Sequence, residues 1–169
     1  MISGATLKML PRFETVKAME VIARDKVTLI ALVPTMYFFI LNTPDFEKYD
    51  FSSLRLAVSG GAALPGDVHK RFEERYGVTI LEGYGLSETS PVVSFTLQGE
   101  EVRVGSIGKP IWGVEMKPML EDGTFAGPDQ VGELVVRGHC VMKGYWGKPK
   151  ATREAIVDGW FHTDRKSVV

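Results

Sequence analysis

Apolar residues follow two different patterns along the chain, and the change falls near Thr96. In the first half, short apolar runs alternate with segments of helical periodicity. Val27–Val33 and Leu54–Val58 are nearly continuous apolar runs, which is typical of strands covered on both faces. Val78–Leu81 is a third run of this kind. The pattern therefore predicts a parallel sheet rather than a sheet with one solvated face.

Helices are predicted between these strands. Glu14–Arg24 has Val16, Met19 and Ile22 at helical spacing, with charged residues on the remaining face. Pro34 opens a helix over Thr35–Leu41, and Pro65 opens another that runs to about Tyr76. A short strand is predicted over Ala5–Leu10. Strand and helix in this alternation indicate parallel crossover units, whose ligands bind at the carboxyl ends of the strands.

After about Thr96, glycines punctuate short segments and the pattern becomes antiparallel. Asp122-Gly123 is a turn signal, Glu133–Arg137 is a strand, and Lys150–Val157 is a short C-terminal helix. We therefore expect an α/β fold in which parallel-sheet βα units are followed by a small antiparallel β subdomain. The expected division is residues 1–97 and 98–169.

Composition restricts the partners. A net charge of -1 gives no basis for binding nucleic acid or an acidic membrane surface. The single cysteine, Cys140, excludes an internal disulfide and fits a reducing compartment. The longest apolar run contains Pro34 and is too short to span a bilayer. We expect a protein that is not transmembrane and is cytoplasmic, and the spacing of the three histidines predicts no metal site.

Two loops at strand ends carry the candidate chemistry. Ser59-Gly60-Gly61-Ala62-Ala63 allows a ligand to approach the backbone closely, although a tight packing turn explains the same residues. In Thr79–Pro91, Tyr84 lies between Gly83 and Gly85, so its ring could lie against a nucleobase; the alternative is a core tyrosine with a satisfied hydroxyl. Ser87 can donate a hydrogen bond to phosphate. Glu88 can hold Mg²⁺, or can simply be solvated.

Gly83-Tyr84-Gly85-Leu86-Ser87-Glu88-Thr89 resembles the adenylate-binding signature of the acyl-adenylate-forming, AMP-binding superfamily. The order and spacing of further segments strengthen the resemblance. The residues of these segments are most similar to those of medium- and long-chain fatty acyl-CoA synthetases. These segments are Val33–Tyr37, Leu54–Pro65, Gly105–Pro110, Gly132–Gly138, Met142–Trp146 and Asp158–Thr163.

The resemblance implies a role for each site residue. Gly61, Ala62 and Ala63 would line the adenine and acyl crevice, and Tyr84, beside Gly85, would stack on adenine. Ser87, where the family more often has Thr, would contact the α-phosphate, and Glu88 would bind Mg²⁺; these two form the expected catalytic pair. The implied reaction joins a fatty acid or other carboxylate to ATP, releasing pyrophosphate, and CoA then displaces AMP.

The chain also departs from the family pattern. No phosphate-binding loop rich in Ser, Thr and Gly precedes Gly4, and no C-terminal lid is recognisable. The glycine of the family's Thr-Gly-Asp motif is absent, because Asp164 directly follows Thr163. Asp164 is therefore either the ribose-binding aspartate or the start of the hinge motif, which Asp164-Arg165-Lys166 resembles.

These departures leave several interpretations open. The chain is expected to be part of a larger ligase that is inactive alone and self-associates through surfaces exposed by truncation. One alternative is a non-catalytic module that binds nucleotide or acyl-adenylate, and another is an inert structural fragment. Within the family, the alternative is an adenylation domain for amino or aryl acids.

Overall fold

The computed structural model describes residues 4–168. They form two compact units. The first comprises the described residues up to Leu81 together with Arg103–Gly105, and the second comprises Glu82–Val102 and the chain from Ser106 onward. Each unit has its own apolar core. The mixed α/β class, with parallel strand pairing followed by a small antiparallel sheet, confirms the predicted fold class.

The first unit alternates helices and strands. Its elements are α1 (Thr15–Arg24), β1 (Leu29–Leu32), α2 (Pro34–Leu41), β2 (Leu56–Ser59) and α3 (Gly66–Tyr76). β1 and β2 pair in parallel, from Leu29 opposite Leu56 to Leu32 opposite Ser59. The three predicted helices are confirmed within one or two residues at their ends. They form because each has an apolar stripe to bury or a proline at its entry.

The core of the first unit is built from one face of each helix. Met19 on α1, Tyr37 on α2 and Phe72 on α3 are fully buried. The rings of Tyr37 and Phe72 meet edge to face, with centroids 5.0 Å apart. The Tyr37 hydroxyl donates a hydrogen bond of 2.8 Å to the carbonyl oxygen of Val58. This bond ties α2 to the strand that leads into the Gly61 loop.

Two sequence predictions for this unit are wrong. Residues 5–10 form no strand, and Leu7 and Met9 in this segment are exposed, so their apolar side chains have no core to join. β1 is not covered on both faces, because Leu29 and Ala31 on one face of the strand are exposed. An apolar run indicates a strand, but the packing around the strand decides whether both faces are buried.

The second unit is mostly antiparallel. β3 (Ile80–Gly85) enters it from the first unit, and a 3-10 turn (Ser87–Thr89) follows. The remaining elements are β4 (Val92–Phe95), β5 (Lys109–Pro110), β6 (Val114–Met119), β7 (Val131–Gly138), α4 (Pro149–Ala155), β8 (Ile156–Val157) and β9 (Trp160–Val168). The predicted C-terminal helix ends at Ala155, and a hairpin of β8 and β9 follows it.

β3 and β4 pair closely in the second unit. Tyr84 lies opposite Ser94 and Gly85 opposite Val92, with an irregularity between Tyr84 and Gly85. A Cβ atom at Gly85 would lie 1.7 Å from the carbonyl oxygen of Pro91. No side chain can be accommodated there, so glycine is required by the return of the chain into β4.

The last four strands form one sheet in the order β6-β7-β9-β8, with antiparallel pairing throughout. The pairing of β7 with β9 is interrupted, because Glu133 lies opposite Lys166 but Val135 lies opposite His162. Three residues of β9 therefore face Leu134 alone, and the Thr163 hydroxyl donates to the Leu134 carbonyl oxygen at 2.6 Å. The bulge places Asp164 on the exposed side of the sheet.

Among residues 4–168, every helix is too short or too polar to cross a lipid bilayer.

Candidate active site

The loop that follows β2 in the first unit presents its backbone to solvent. Gly61, Ala62 and Ala63 are all exposed, whereas Ser59 at the strand end is buried. The Ser59 hydroxyl oxygen has no hydrogen-bond partner among the described residues. The loop thus has the accessible backbone and small side chains that its sequence predicted, at the carboxyl end of a parallel strand.

Tyr84 lies near the end of β3 and is partly buried. Its ring packs against the core cluster of the second unit, which contains Val93, Val114, Val136 and Cys140. The hydroxyl of Tyr84 is buried and has no partner among the described residues. The structure therefore differs from a core tyrosine with a satisfied hydroxyl, because a buried phenol usually finds a hydrogen-bond partner.

The 3-10 turn after β3 carries Ser87, which is exposed, and Glu88, which is partly exposed. Buried Thr89 fixes the turn. Its hydroxyl oxygen accepts the N–H of Leu86 at 3.0 Å and lies 2.9 Å from the carbonyl oxygen of Pro91, to which it can donate. One buried hydroxyl thus joins the two ends of the turn, so Ser87 and Glu88 project from a fixed backbone.

Tyr145 lies against Glu88. Its hydroxyl donates a hydrogen bond of 3.0 Å to Oε1 of the carboxylate, although 57 positions separate the two residues. This bond, more than any other interaction, raises the pKa of Tyr145 above its ordinary value, and the negative charge of Asp164 adds to the rise. The raised pKa favours the protonated phenol, which is the form that donates to Glu88. The structure thus brings the sequence-predicted site residue Glu88 into contact with Tyr145.

The position of Asp164 is fixed through its backbone. Its N–H donates to Oε1 of Glu133 at 2.9 Å, while Oε2 of Glu133 lies 2.7 Å from Nδ1 of His162. Asp164 has a φ of 55°, in the left-handed region that favours glycine. The position after Thr163, where the family motif has glycine, thus has a glycine-type conformation but carries an aspartate.

The described residues contain no group of three or more His, Cys, Asp or Glu side chains arranged to hold a metal ion. Magnesium does not need such a group, because it usually keeps several waters and takes one or two carboxylates together with phosphate oxygens. Glu88 fits this requirement. Among residues 4–168 its carboxylate is hydrogen-bonded only through Oε1, to Tyr145, so Oε2 is available to a cation.

Three residues of this region had no role assigned from the sequence. Tyr145 belongs to a segment that carried the family resemblance, Thr89 closes the signature itself, and Glu133 lies in another matching segment. Their presence in those segments was the only indication in the sequence that they belong to the site. Their functions depend on contacts with residues far away in the chain or on a hydroxyl buried by the fold.

These features define an α/β protein whose strand-end loops each carry candidate adenylate-type residues. Comparison with known families is consistent with this class, because residues 1–146 match the family model described as AMP-binding enzyme. The chain belongs to the AMP-binding enzyme family.

The chain is similar to curated ligases over nearly its whole length. It is 39% identical to the long-chain-fatty-acid–CoA ligase of Bacillus subtilis (strain 168) over 161 residues, which cover 95% of the chain and 29% of that ligase. It is 37% identical to the feruloyl-CoA synthase of an Amycolatopsis species, covering 96% of the chain and 33% of that synthase. The chain therefore spans about a third of the length of these relatives.

Solved structures have the same fold. The anthranilate CoA ligase AuaEII in complex with anthranoyl-AMP superimposes with a TM-score of 0.86 at 31% identity, over 92% of this chain and 30% of that one. The N-terminal domain of FACL13 from Mycobacterium tuberculosis gives a TM-score of 0.84 at 27% identity, over 95% of this chain and 40% of that one.

Proposed function

We propose that the chain supplies the adenylate-binding part of an AMP-forming fatty acyl-CoA ligase. In the reaction, a carboxylate oxygen of the acid attacks the α-phosphorus of ATP and pyrophosphate leaves. The sulfur of CoA then attacks the acyl carbonyl carbon, and AMP leaves. The observation that carries the proposal is Glu88, which projects from a fixed turn at a strand end, accepts a hydrogen bond from Tyr145 and has one carboxylate oxygen available.

Each candidate residue has a proposed task. Tyr84 stacks on adenine. It lies next to Gly85, where β3 and β4 approach each other closely. Ser87 donates to the α-phosphate, and Glu88 binds the Mg²⁺, whose charge offsets that of the phosphates. Asp164 accepts hydrogen bonds from ribose.

The loop of the first unit has its own proposed task. Gly61, Ala62 and Ala63 are proposed to line the adenine and acyl crevice with accessible backbone.

The fatty acid is the first choice of substrate because long-chain ligases recur among the similar proteins. An aryl or amino acid is the second candidate, since a feruloyl-CoA synthase and an anthranilate CoA ligase are also similar to this chain. Residues 1–97 and 98–169 remain the proposed division of the chain, and the cytoplasm its proposed location. A buried, unpaired Cys140 fits a reducing compartment.

Calorimetry tests the nucleotide site. We expect AMP and a non-hydrolysable acyl-adenylate mimic to bind this chain, and Tyr84→Ala to weaken both by about tenfold, because a base–aromatic stack contributes about 1–3 kcal/mol. Trp112→Ala is the matched control, since Trp112 is an aromatic residue of the same unit that is 92% exposed. Absence of binding by either ligand would rule out the proposed site.

Pyrophosphate exchange tests the reaction and its substrate. ATP–pyrophosphate exchange is measured with dodecanoate, ferulate and anthranilate in parallel. Exchange that depends on dodecanoate supports the fatty acid, while exchange with the aryl acids alone supports the second candidate. Because the chain is expected to be inactive alone, nucleotide binding without exchange for any acid is the expected result, and robust exchange by this chain alone would contradict that expectation.

We also propose that the chain pairs with a second copy through the first unit. Leu29, Val33, Phe38 and Phe39 are exposed apolar residues on β1, α2 and the residue between them. Exposed apolar residues grouped on one part of a fold are a typical association surface. Sedimentation velocity should show concentration-dependent association, which the double substitution Phe38→Ser and Phe39→Ser reduces. A wild-type chain that stays monomeric at high concentration contradicts this proposal.

A further inference from the structure

Glu88 is held by contacts with a segment more than fifty positions later in the chain. The backbone N–H of Met142 donates to the carbonyl oxygen of Glu88 at 2.7 Å, and the Tyr145 hydroxyl donates to its carboxylate at 3.0 Å. The backbone and the side chain of one residue are thus both bound by the segment 142–145. Two bonds from the same segment restrain the direction of the carboxylate more than either could alone.

The backbone of Tyr145 is itself held by a hydrogen bond. Its backbone N–H donates to the hydroxyl oxygen of Thr152 at 2.9 Å, and that hydroxyl donates to the Lys148 carbonyl oxygen at 3.0 Å. Thr152 lies on α4, so the backbone of Tyr145 is hydrogen-bonded to a helix rather than to a loop. Tyr145 is 36% exposed, and its backbone is held to α4 by this hydrogen bond.

Gly144 allows the chain before Tyr145 to approach Thr152 closely. It has a φ of 148°, and a Cβ atom there would lie 2.6 Å from Cγ2 of Thr152. A side chain at this position would move Tyr145 away from Thr152 and α4. Gly144 has no side chain, so it lets the chain lie close to the helix. The next residue, Tyr145, has the hydroxyl that reaches Glu88.

We propose that Tyr145 is a positioning residue for the metal-binding carboxylate: its hydroxyl fixes Oε1 of Glu88, so that Oε2 is directed toward a divalent cation held jointly with nucleotide phosphates. This inference rests on the proposed role of Glu88. A neutral phenol suits the task, because it restrains the carboxylate without neutralising it. Partners of this kind, one shell away from a metal, typically change metal affinity by about 10–100-fold when they are removed.

The test measures ATP binding to the full 169-residue chain at increasing Mg²⁺. Tyr145→Phe keeps the ring and removes only the hydroxyl. We expect the Mg²⁺ concentration at half-maximal enhancement of ATP binding to rise about tenfold, while ATP affinity without Mg²⁺ stays unchanged. Trp146→Phe is the matched control, because Trp146 lies next in the chain and is fully exposed. It should leave the Mg²⁺ dependence unchanged.

A double-substitution cycle separates positioning from a direct role. If Tyr145 acts through Glu88, Tyr145→Phe has no further effect once Glu88→Gln is present. An equal effect of Tyr145→Phe in both backgrounds would overturn the inference. The relaxation of water protons by Mn²⁺ bound with ATP gives a second readout of the metal, and the unfolding midpoint in urea checks that each variant folds.

The outcomes also distinguish this inference from the proposed function. If Glu88→Gln weakens the Mg²⁺ dependence but Tyr145→Phe does not, the positioning role is wrong and the site stands. If neither substitution changes the Mg²⁺ dependence, or the wild-type chain binds no ATP with Mg²⁺, the metal role of Glu88 fails and the inference fails with it.

Discussion

Glu133 binds His162 through one carboxylate oxygen, with Oε2 lying 2.7 Å from Nδ1 of the imidazole. The other oxygen, Oε1, accepts the backbone N–H of Asp164. Glu133 therefore spans the bulge at which the pairing of β7 with β9 is interrupted. Because a bulge leaves ladder groups unpaired, a side chain that satisfies one of them stabilises the distortion.

Replacement of this carboxylate should destabilise the sheet. We expect Glu133→Ala to lower the free energy of unfolding by about 1–2 kcal/mol, because a partly buried contact with His162 and an exposed hydrogen bond from the Asp164 N–H are lost. The measurement is urea denaturation followed by circular dichroism. Glu115→Ala is the control, since Glu115 forms an exposed ion pair with Arg137 on the same sheet. It should cost about 0.5 kcal/mol. Equal losses for the two variants would contradict the anchoring role of Glu133.

The backbone conformation of Asp164 gives a second prediction. At a φ of 55° a β-branched side chain is strained, whereas glycine is not. Asp164→Val should lower stability by about 1–2 kcal/mol, and Asp164→Gly should change it by less than about 0.5 kcal/mol. Thermal unfolding of both variants provides the comparison. A valine variant as stable as the glycine variant would show that this residue does not keep its left-handed conformation in solution.

Gly85 should tolerate no side chain. Its Cβ position lies 1.7 Å from a backbone oxygen that cannot move independently, so Gly85→Ala must displace β4 from β3. We expect a loss of about 3 kcal/mol, at the upper end of overpacking effects. Gly127→Ala is the control, because there the nearest atom is a side-chain oxygen at 3.6 Å. Wild-type stability of Gly85→Ala would mean that the two strands are not paired closely.

Tyr37 should contribute stability that depends on pH. Burial raises the pKa of its hydroxyl, which donates to the carbonyl oxygen of Val58. The folded state therefore favours the protonated phenol. Its contribution is complete below the unfolded-state pKa of about 10 and is lost as the pH rises above that value.

The measurement compares wild type with Tyr37→Phe in urea at several pH values. At pH 8 the variant should be less stable by about 1 kcal/mol. Above about pH 10 the wild-type advantage should shrink, because ionisation stabilises only the unfolded wild-type chain. A difference that stays constant through pH 11 would show that the hydroxyl is not buried.

The local elements were predictable because their signals are local. Pro65 and Gly77 delimit α3, and Val68 and Phe72 between them are buried. The strand-end positions of the Gly61 loop and of Tyr84 followed from the alternation of apolar runs and helical segments. By contrast, the failed strand over residues 5–10 shows that an apolar run without a partner surface does not specify an element.

The sequence by itself determined the fold class, the family and the residue types of the site. Periodicity, turn chemistry and motif order can be identified from residues that are close together in the chain. Tertiary structure alone decided which groups meet. Tyr145 reaches Glu88 across 57 positions, and Glu133 reaches Asp164 across 31. Such contacts depend on sheet register, on a bulge and on where a helix packs. None of these is specified by the spacing of the two residues that are brought together.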